Sequence, residues 1–272
     1  MDTAGTELAV IGVGNMGAAI VRGVLSAGMF PAERIGLADP DPSRLEPFRA
    51  RGCCVGARAA DVVRGSSSGG MLLLAVKPQV FRLVAAELLG VRPSGTVISI
   101  MAGVSSASIT SALKTERVVR AMPNLAVSLG KGVTAVAPSG GTRESDIRSA
   151  RGLFEPLGEV LTCEERLMDA FTALAGSGPA YLFYLAEAME RAAVEMGFDR
   201  KVAGVIVRRT LSGAAALLDA GREDGPGALR ARVTSKGGTT DVACRVMDEA
   251  GVASSIRDAI VAARDRGREL AS

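Results

Sequence analysis

Near Glu164 the chain stops making strands, and that change limits the fold more than any other feature of the sequence. Before it, short apolar runs alternate with helical stretches. Residues 8–13, 35–38, 71–76, 96–101, 117–121, 132–137 and 159–162 read as strands, and 16–27, 44–51, 80–89, 109–113 and 145–157 as helices. The run MLLLAV at 71–76 is apolar without alternation, as a strand covered on both faces requires. Strands separated by helices predict an α/β domain with a doubly wound parallel sheet. GSSSGG at 65–70 reads as a loop before the third of these strands. Beyond Glu164 only helices are expected, at 167–196, 200–220, 240–249 and 254–270. The chain is thus expected to divide into a sheet domain, 1–164, and an all-helical domain, 165–272.

The helix at 200–220 is unusually apolar, with small residues at Gly204, Ser212, Gly213 and Ala214. A helix of this kind needs cover on more than one face. A second copy of the chain is expected to supply it. The preceding helix, DAFTALAGSGPAYLFY from Asp169 to Tyr184, carries Gly176-Ser177-Gly178-Pro179 inside a helical pattern. Glycine costs about 1 kcal/mol and proline about 3 kcal/mol in a helix interior. Such a break marks a bend or a close approach to a ligand or another chain, or else an ordinary loop between two helices.

Composition narrows the chemistry. There is no histidine, which removes the usual serine and cysteine triads and the commonest metal ligand. Cys53, Cys54, Cys163 and Cys244 form no CxxC pair, and no metal is expected. Chemistry must rest on a cofactor, or on Lys, Asp, Glu, Ser, Thr and backbone groups. The formal charge is +3, with 32 basic residues scattered among 29 acidic ones, so no nucleic-acid partner is expected. No apolar run approaches the roughly 20 residues of a membrane span. The segment MDTAGTELAV lacks the basic flank of a signal peptide, and a cytoplasmic location is expected.

Gly12-Val13-Gly14-Asn15-Met16-Gly17 matches GxGxxG between the first strand and its helix. There the first glycine permits a tight turn, the second lets a pyrophosphate approach, and the third lets helix and strand pack. This predicts a Rossmann-type dinucleotide site. Asp39 ends the second strand, where a carboxylate meets the adenosine ribose and disfavours a 2′-phosphate. Arg44 lies close by in ADPDPSR, in reach of a phosphate, so both NADH and NADPH stay open. Asp39 and Asp41 also read as turn and cap residues. Ala75, Val76, Lys77 and Pro78, then Ile100, Met101 and Ala102, end later strands and are expected to border the same crevice. Far along the chain, VTSKGGTTD (233–241) reads as a loop entering a helix, suited to a small carboxylate.

Taken together, IGVGNMGAAI, LLLAVKPQ, ISIMAGVS, VVRAMPN, DAFTALAGSGPAY and VTSKGGTT resemble pyrroline-5-carboxylate reductase along nearly the whole chain. The resemblance implies a helical domain through which subunits dimerise and form larger rings, with a site shared between subunits. It implies NADPH or NADH as cofactor, touching Ile11, Gly12, Val13, Gly14, Asn15, Met16, Gly17, Asp39, Asp41, Ala75–Pro78 and Ile100–Ala102. The substrate, pyrroline-5-carboxylate, is then expected at Ser235, Gly238, Thr239 and Thr240, with Glu165 and Glu223 nearby. The hydroxyl of Thr240 is the expected catalytic group beside the ring nitrogen. Two competing readings are a reductase of the β-hydroxyacid dehydrogenase kind and a dinucleotide-binding sensor without turnover. The first commonly uses a lysine on the helical domain, and the GSGPAY helix carries none at the matching place.

Overall fold

The computed structural model describes residues 5–64, 66–91, 93–221 and 224–271. The first part is an α/β sandwich of β1 (Thr6–Ile11), α1 (Asn15–Ser26), β2 (Ile35–Ala38), α2 (Pro42–Arg49), β3 (Cys54–Gly56) and α3 (Ala59–Val63). It continues with β4 (Ser66–Leu74), α4 (Phe81–Glu87), β5 (Thr96–Ser99), α5 (Ser106–Leu113), β6 (Val118–Pro123), β7 (Gly132–Pro138), α6 (Glu144–Phe154) and β8 (Gly158–Thr162). The sheet order is β3-β2-β1-β4-β5-β6-β7-β8. The order reverses between β1 and β4, which makes the topological switch point of a doubly wound fold.

Both faces of this sheet are buried, and alternate residues of each strand serve opposite cores. Leu8 and Val10 join Leu73 and Ile98 beneath α1, α2 and α6, burying Ile20, Phe48 and Phe154. Ala9 and Ile11 join Leu72, Leu74 and Val97 on the other face, against Val62, Phe81 and Ile109 of α3, α4 and α5. Period-two alternation between two apolar cores leaves no polar face, hence the unbroken apolar runs of the sequence.

Four local features differ from the sequence reading. The pairs from β3 to β6 are parallel, but β7 enters antiparallel to β6, and β8 lies parallel to β7. A parallel β6–β7 pair would need a crossover of about a dozen residues or more. The segment from Asn124 to Lys131 instead makes a short 3₁₀ turn and returns. Ser66–Gly70, expected as loop, extends β4, because Thr6 pairs with Ser66 across a register shift. Backbone pairing with β1 overrides the poor strand propensity of Ser and Gly. The short β3 and α3 were not foreseen; three- and five-residue elements carry too little periodicity to read.

After β8 the described chain is helical, in α7 (Met168–Phe171), α8 (Gly178–Glu195), α9 (Arg200–Ala220), α10 (Pro226–Arg232), α11 (Thr239–Glu249) and α12 (Val252–Ala271). Only α10 was not expected. The chain separates into two compact units, one reaching Ser177 and including the segment from Ala263 onward, the other Gly178–Ala262. The Gly-Ser-Gly-Pro segment therefore straddles a unit boundary. It is neither a loop nor a clean break: Thr172–Gly176 forms a π-helical turn, closed by the Ser177 N–H on the Thr172 carbonyl at 2.8 Å. Pro179 offers no N–H to the carbonyl four residues earlier, and a widened turn accommodates that loss.

At the start of α1 backbone packs against backbone with no room for a side chain. A Cβ on Gly17 would run into the Gly12 carbonyl oxygen, and one on Gly12 would lie 2.7 Å from the Ala75 carbonyl oxygen. Gly17→Ala is accordingly expected to cost about 1–3 kcal/mol, the scale of overpacking. Urea unfolding followed by circular dichroism checks this; an unchanged midpoint would contradict it.

Candidate active site

Three strand ends and one helix start meet at the switch point. Gly12 turns the chain at φ +94°, its N–H donating to the Ala38 carbonyl at 2.8 Å, while the Ala75 N–H donates to the Ile11 carbonyl at 2.8 Å. These bonds carry β1 beyond its last strand residue and hold it between β2 and β4. Helix α1 then begins on Gly14, with no side chain capping it and no acid in its first turn. A Cβ on Gly14 would meet nothing within 4 Å among the described residues. Gly14 needs neither a positive φ nor local packing room, so its missing side chain leaves open a cradle above free helix N–H groups. Those groups and the macrodipole favour an anion there, and the residues fit a dinucleotide pyrophosphate.

The cradle opens into a crevice of about 720 Å³. Val13 and Gly14 line it from the glycine turn, Asn15 and Met16 from α1, Ala75, Val76, Lys77 and Pro78 from the end of β4, and Ile100, Met101 and Ala102 from the end of β5. Ile11, Gly12 and Gly17 are buried and do not themselves line it. Met122 and Pro123, at the end of β6, also line it, as do Arg22, Arg44 and Phe48. The rule that ligands sit at the carboxyl ends of parallel strands would have found Met122 and Pro123. Phe48, by contrast, reaches the crevice only through the packing of α2.

Asp39 is 4 % exposed, and both carboxylate oxygens accept from backbone N–H groups. Oδ2 accepts from the Val13 N–H at 2.8 Å and Oδ1 from the Asp41 N–H at 3.0 Å. Asp41 in turn caps α2, accepting from the Ser43 N–H at 2.9 Å and hydroxyl at 2.6 Å. Those hydrogen bonds, together with the charge of Arg44, hold the Asp41 carboxyl below its usual value despite an opposing desolvation.

Glu165 begins a 3₁₀ turn just before α7. Its carboxylate accepts from the Ser106 N–H at 2.8 Å and hydroxyl at 2.5 Å, and lies 3.2 Å from Nη1 of Arg120. Arg120 is buried on β6, and its Nε has no acceptor among the described residues. Burial alone would raise the Glu165 carboxyl, but the hydrogen bonds from Ser106 and the charge of Arg120 outweigh it and lower the pKa. The cluster anchors the start of α5, which follows the crevice residues at the end of β5. Ser106 and Arg120 are 59 and 45 positions from Glu165, a pairing that no local pattern announces.

In the other unit, Gly237 adopts φ +73° and Gly238 precedes α11 with no side-chain cap. The Gly237 N–H donates to the Asp241 carboxylate at 3.0 Å and the Gly238 N–H to the Ser235 carbonyl at 2.9 Å. For the N–H groups of Thr239 and Thr240, no acceptor is found among the described residues. Glu223 lies outside the described residues. No group of three or more His, Cys, Asp or Glu side chains is placed to hold a metal among the described residues, and no described helix is long and apolar enough to cross a membrane.

The glycine turn, the uncapped helix start and the crevice at the switch point define a dinucleotide-binding protein of the Rossmann type. Comparison with known proteins carries this further. Residues 7–103 match the family described as NADP oxidoreductase coenzyme F420-dependent, and 165–270 match pyrroline-5-carboxylate reductase dimerisation. The pyrroline-5-carboxylate reductase of Methanosarcina acetivorans is 37% identical over 97% of each chain. The structure of a pyrroline-5-carboxylate reductase from Coxiella burnetii superposes with a TM-score of 0.88 at 29% identity, covering 98% of this chain and 99% of that one. The Plasmodium falciparum pyrroline carboxylate reductase, solved with NADP bound, gives 0.86 at 23% identity over 100% of both chains. The chain belongs to the pyrroline-5-carboxylate reductase family, NAD(P)-dependent oxidoreductases that reduce 1-pyrroline-5-carboxylate to proline.

The lowered pKa of Glu165 fixes the sign of a pH effect. Its contribution to stability is full above the unfolded carboxyl value of about 4.3 and is lost as pH falls through the folded value. The difference in urea midpoint between wild type and Glu165→Gln should therefore be largest near neutral pH and shrink in acid. A difference independent of pH, or growing in acid, would contradict this.

Proposed function

We propose that the crevice at the carboxyl ends of β1, β4 and β5 holds the nicotinamide cofactor, and that the Ser235–Thr240 loop holds the carboxylate of the cyclic imine. The observation that carries the second assignment is the start of α11, where the Thr239 and Thr240 N–H groups have no acceptor among the described residues behind an uncapped Gly238. Such a helix start suits a carboxylate. Ser235 adds a hydroxyl at the same turn, and Glu165 and Glu223 are assigned near the substrate by family resemblance.

When bound, the reduced nicotinamide supplies a hydride to the carbon of the C=N bond. The nitrogen must end protonated, and a protonated imine accepts hydride far more readily than a neutral one. The protein's work is therefore to orient the imine, exclude water and keep a proton at the ring nitrogen. The Thr240 hydroxyl is assigned to that nitrogen, as donor or as relay from water. Orientation of two bound reactants contributes several kcal/mol of barrier lowering, which a chain without histidine can supply. The setting we propose is cytoplasmic.

The helical unit leaves much of its apolar surface bare. Among its described residues only Ala193, Ala203 and Val207 are buried hydrophobics, whereas Phe183, Tyr184, Val205, Leu217 and Val246 are each at least 60 % exposed. Patches of this kind mark interaction surfaces. Together with the match to a dimerisation family, they support a homodimer, and we propose that dimers assemble into a larger homo-oligomer.

Consumption of NADH or NADPH at 340 nm on addition of pyrroline-5-carboxylate, with stoichiometric proline, tests the reaction; cofactor binding without consumption would favour a sensor. Thr240→Ala is expected to lower kcat about a hundredfold, the low end of acid–base contributions, with cofactor affinity unchanged. Wild-type turnover in this variant would remove the role given to Thr240. Light scattering on a size-exclusion column should find a dimer or larger, and a micromolar monomer would contradict the assembly. A Cβ at Gly178 would meet nothing within 4 Å among the described residues. Gly178→Leu should therefore fold normally yet lose activity or assembly; full retention of both would make the segment a plain connector.

A further inference from the structure

The deep placement of Asp39 shifts the question of cofactor choice to its neighbour. At the end of β2 a carboxylate ordinarily accepts from the ribose hydroxyls and repels a 2′-phosphate. Here both oxygens are engaged by backbone N–H groups, those of Val13 and Asp41, and the side chain is only 3 % exposed. The carboxylate works as a clasp that fixes the glycine turn to β2. Its charge is further offset by Arg44, whose Nη1 lies 3.6 Å from Asp39 Oδ2 and whose Nε lies 3.3 Å from Asp41 Oδ2.

Arg44 differs from Asp39 in each respect that matters for recognition. Its side chain is 53 % exposed, and it lines the crevice. The two carboxylates attract it at ion-pair distance, yet none of its guanidinium N–H groups makes a hydrogen bond among the described residues. A guanidinium carries five donors in a fixed fork suited to phosphate. The nearby hydroxyl of Ser43 is committed to Asp41, which it meets at 2.6 Å. Two other cations, Arg22 and Lys77, line the crevice from α1 and from the end of β4. Neither stands at the end of β2, where the adenosine ribose is read.

We propose that Arg44 is the group that admits the 2′-phosphate of NADP(H), and that Asp39 is a structural clasp without discriminating power. Without Arg44 the 2′-phosphate would have no cation to meet it at this end of the crevice, and affinity for NADP(H) would fall while that for NAD(H) would hold. The proposal rests on the dinucleotide reading of the crevice.

Titration calorimetry with NADP+ and with NAD+ on the full-length protein tests it. Wild type is expected to bind both. Arg44→Ala should weaken NADP+ about tenfold or more, since charge-assisted hydrogen bonds carry the contact, while NAD+ shifts by less than about threefold. Raising salt should erode wild-type affinity for NADP+ more steeply than for NAD+, and the excess should vanish in the variant. Equal loss for both cofactors, no loss for either, or a wild type that binds NAD+ alone would overturn the role of Arg44. Binding of neither cofactor by wild type would instead defeat the dinucleotide reading itself. Arg44 is exposed, so folding of the variant is expected to be normal, and thermal unfolding checks it.

Discussion

Everything at the carboxyl edge of the sheet depends on one close approach of three backbones. The Gly12 carbonyl fills the space where Gly17 would carry a side chain, and the Ala75 carbonyl fills the space beside Gly12. This contact locks β1, α1 and β4 together at the switch point. It aims the first turn of α1 at the crevice, and Asp39 secures the same turn to β2 from below. Side chains of any size at Gly12 or Gly17 would part these elements, so the site is a property of backbone packing before any functional group is counted.

A second pattern concerns how helix starts are treated. Helices α2, α5 and α9 begin on Asp41, Ser105 and Asp199, whose side chains accept from the following backbone N–H groups. Helices α1 and α11 begin on Gly14 and Gly238 without such a cap. The starts that are satisfied internally serve structure, and Glu165 adds to the satisfaction of α5. Helix α10 also starts on an uncapped glycine, Gly225, but its first residue is Pro226, which has no N–H; the glycine starts of α1 and α11 retain their N–H groups and positive dipole ends, one assigned to a pyrophosphate and one to a substrate carboxylate. Asp39, Asp41 and Glu165 are thus spent as clasps, and the anion contacts proposed at these two starts fall to backbone groups. This accounts for a reductase site in a chain with no histidine.

Much of this was legible because it is local. The glycine spacing from Gly12 to Gly17 and the apolar strands each announce themselves within a dozen residues, and the helix at 200–220 is found as Arg200–Ala220. What escaped is set by partners distant in sequence. Ser66–Gly70 is strand because Thr6 pairs there, β7 is antiparallel because the segment before it is short, and Arg120 meets Glu165 only in the fold. The Gly-Ser-Gly-Pro segment was legible as an interruption but not as a π turn, since its composition does not say how a helix absorbs a missing N–H. Asp39 was legible by position, while its burial and double use by the backbone were not.

In the proposed reaction a hydride passes from the nicotinamide to the C=N carbon of 1-pyrroline-5-carboxylate. The most direct measurement supplies the nicotinamide cofactor deuterated at its transferable position and locates the label in the product by nuclear magnetic resonance and mass spectrometry. Proline carrying one deuterium on the δ carbon, which is the former imine carbon, is expected, with the cofactor oxidised in equal amount. Unlabelled proline, label at the α carbon, or cofactor that stays reduced would contradict it.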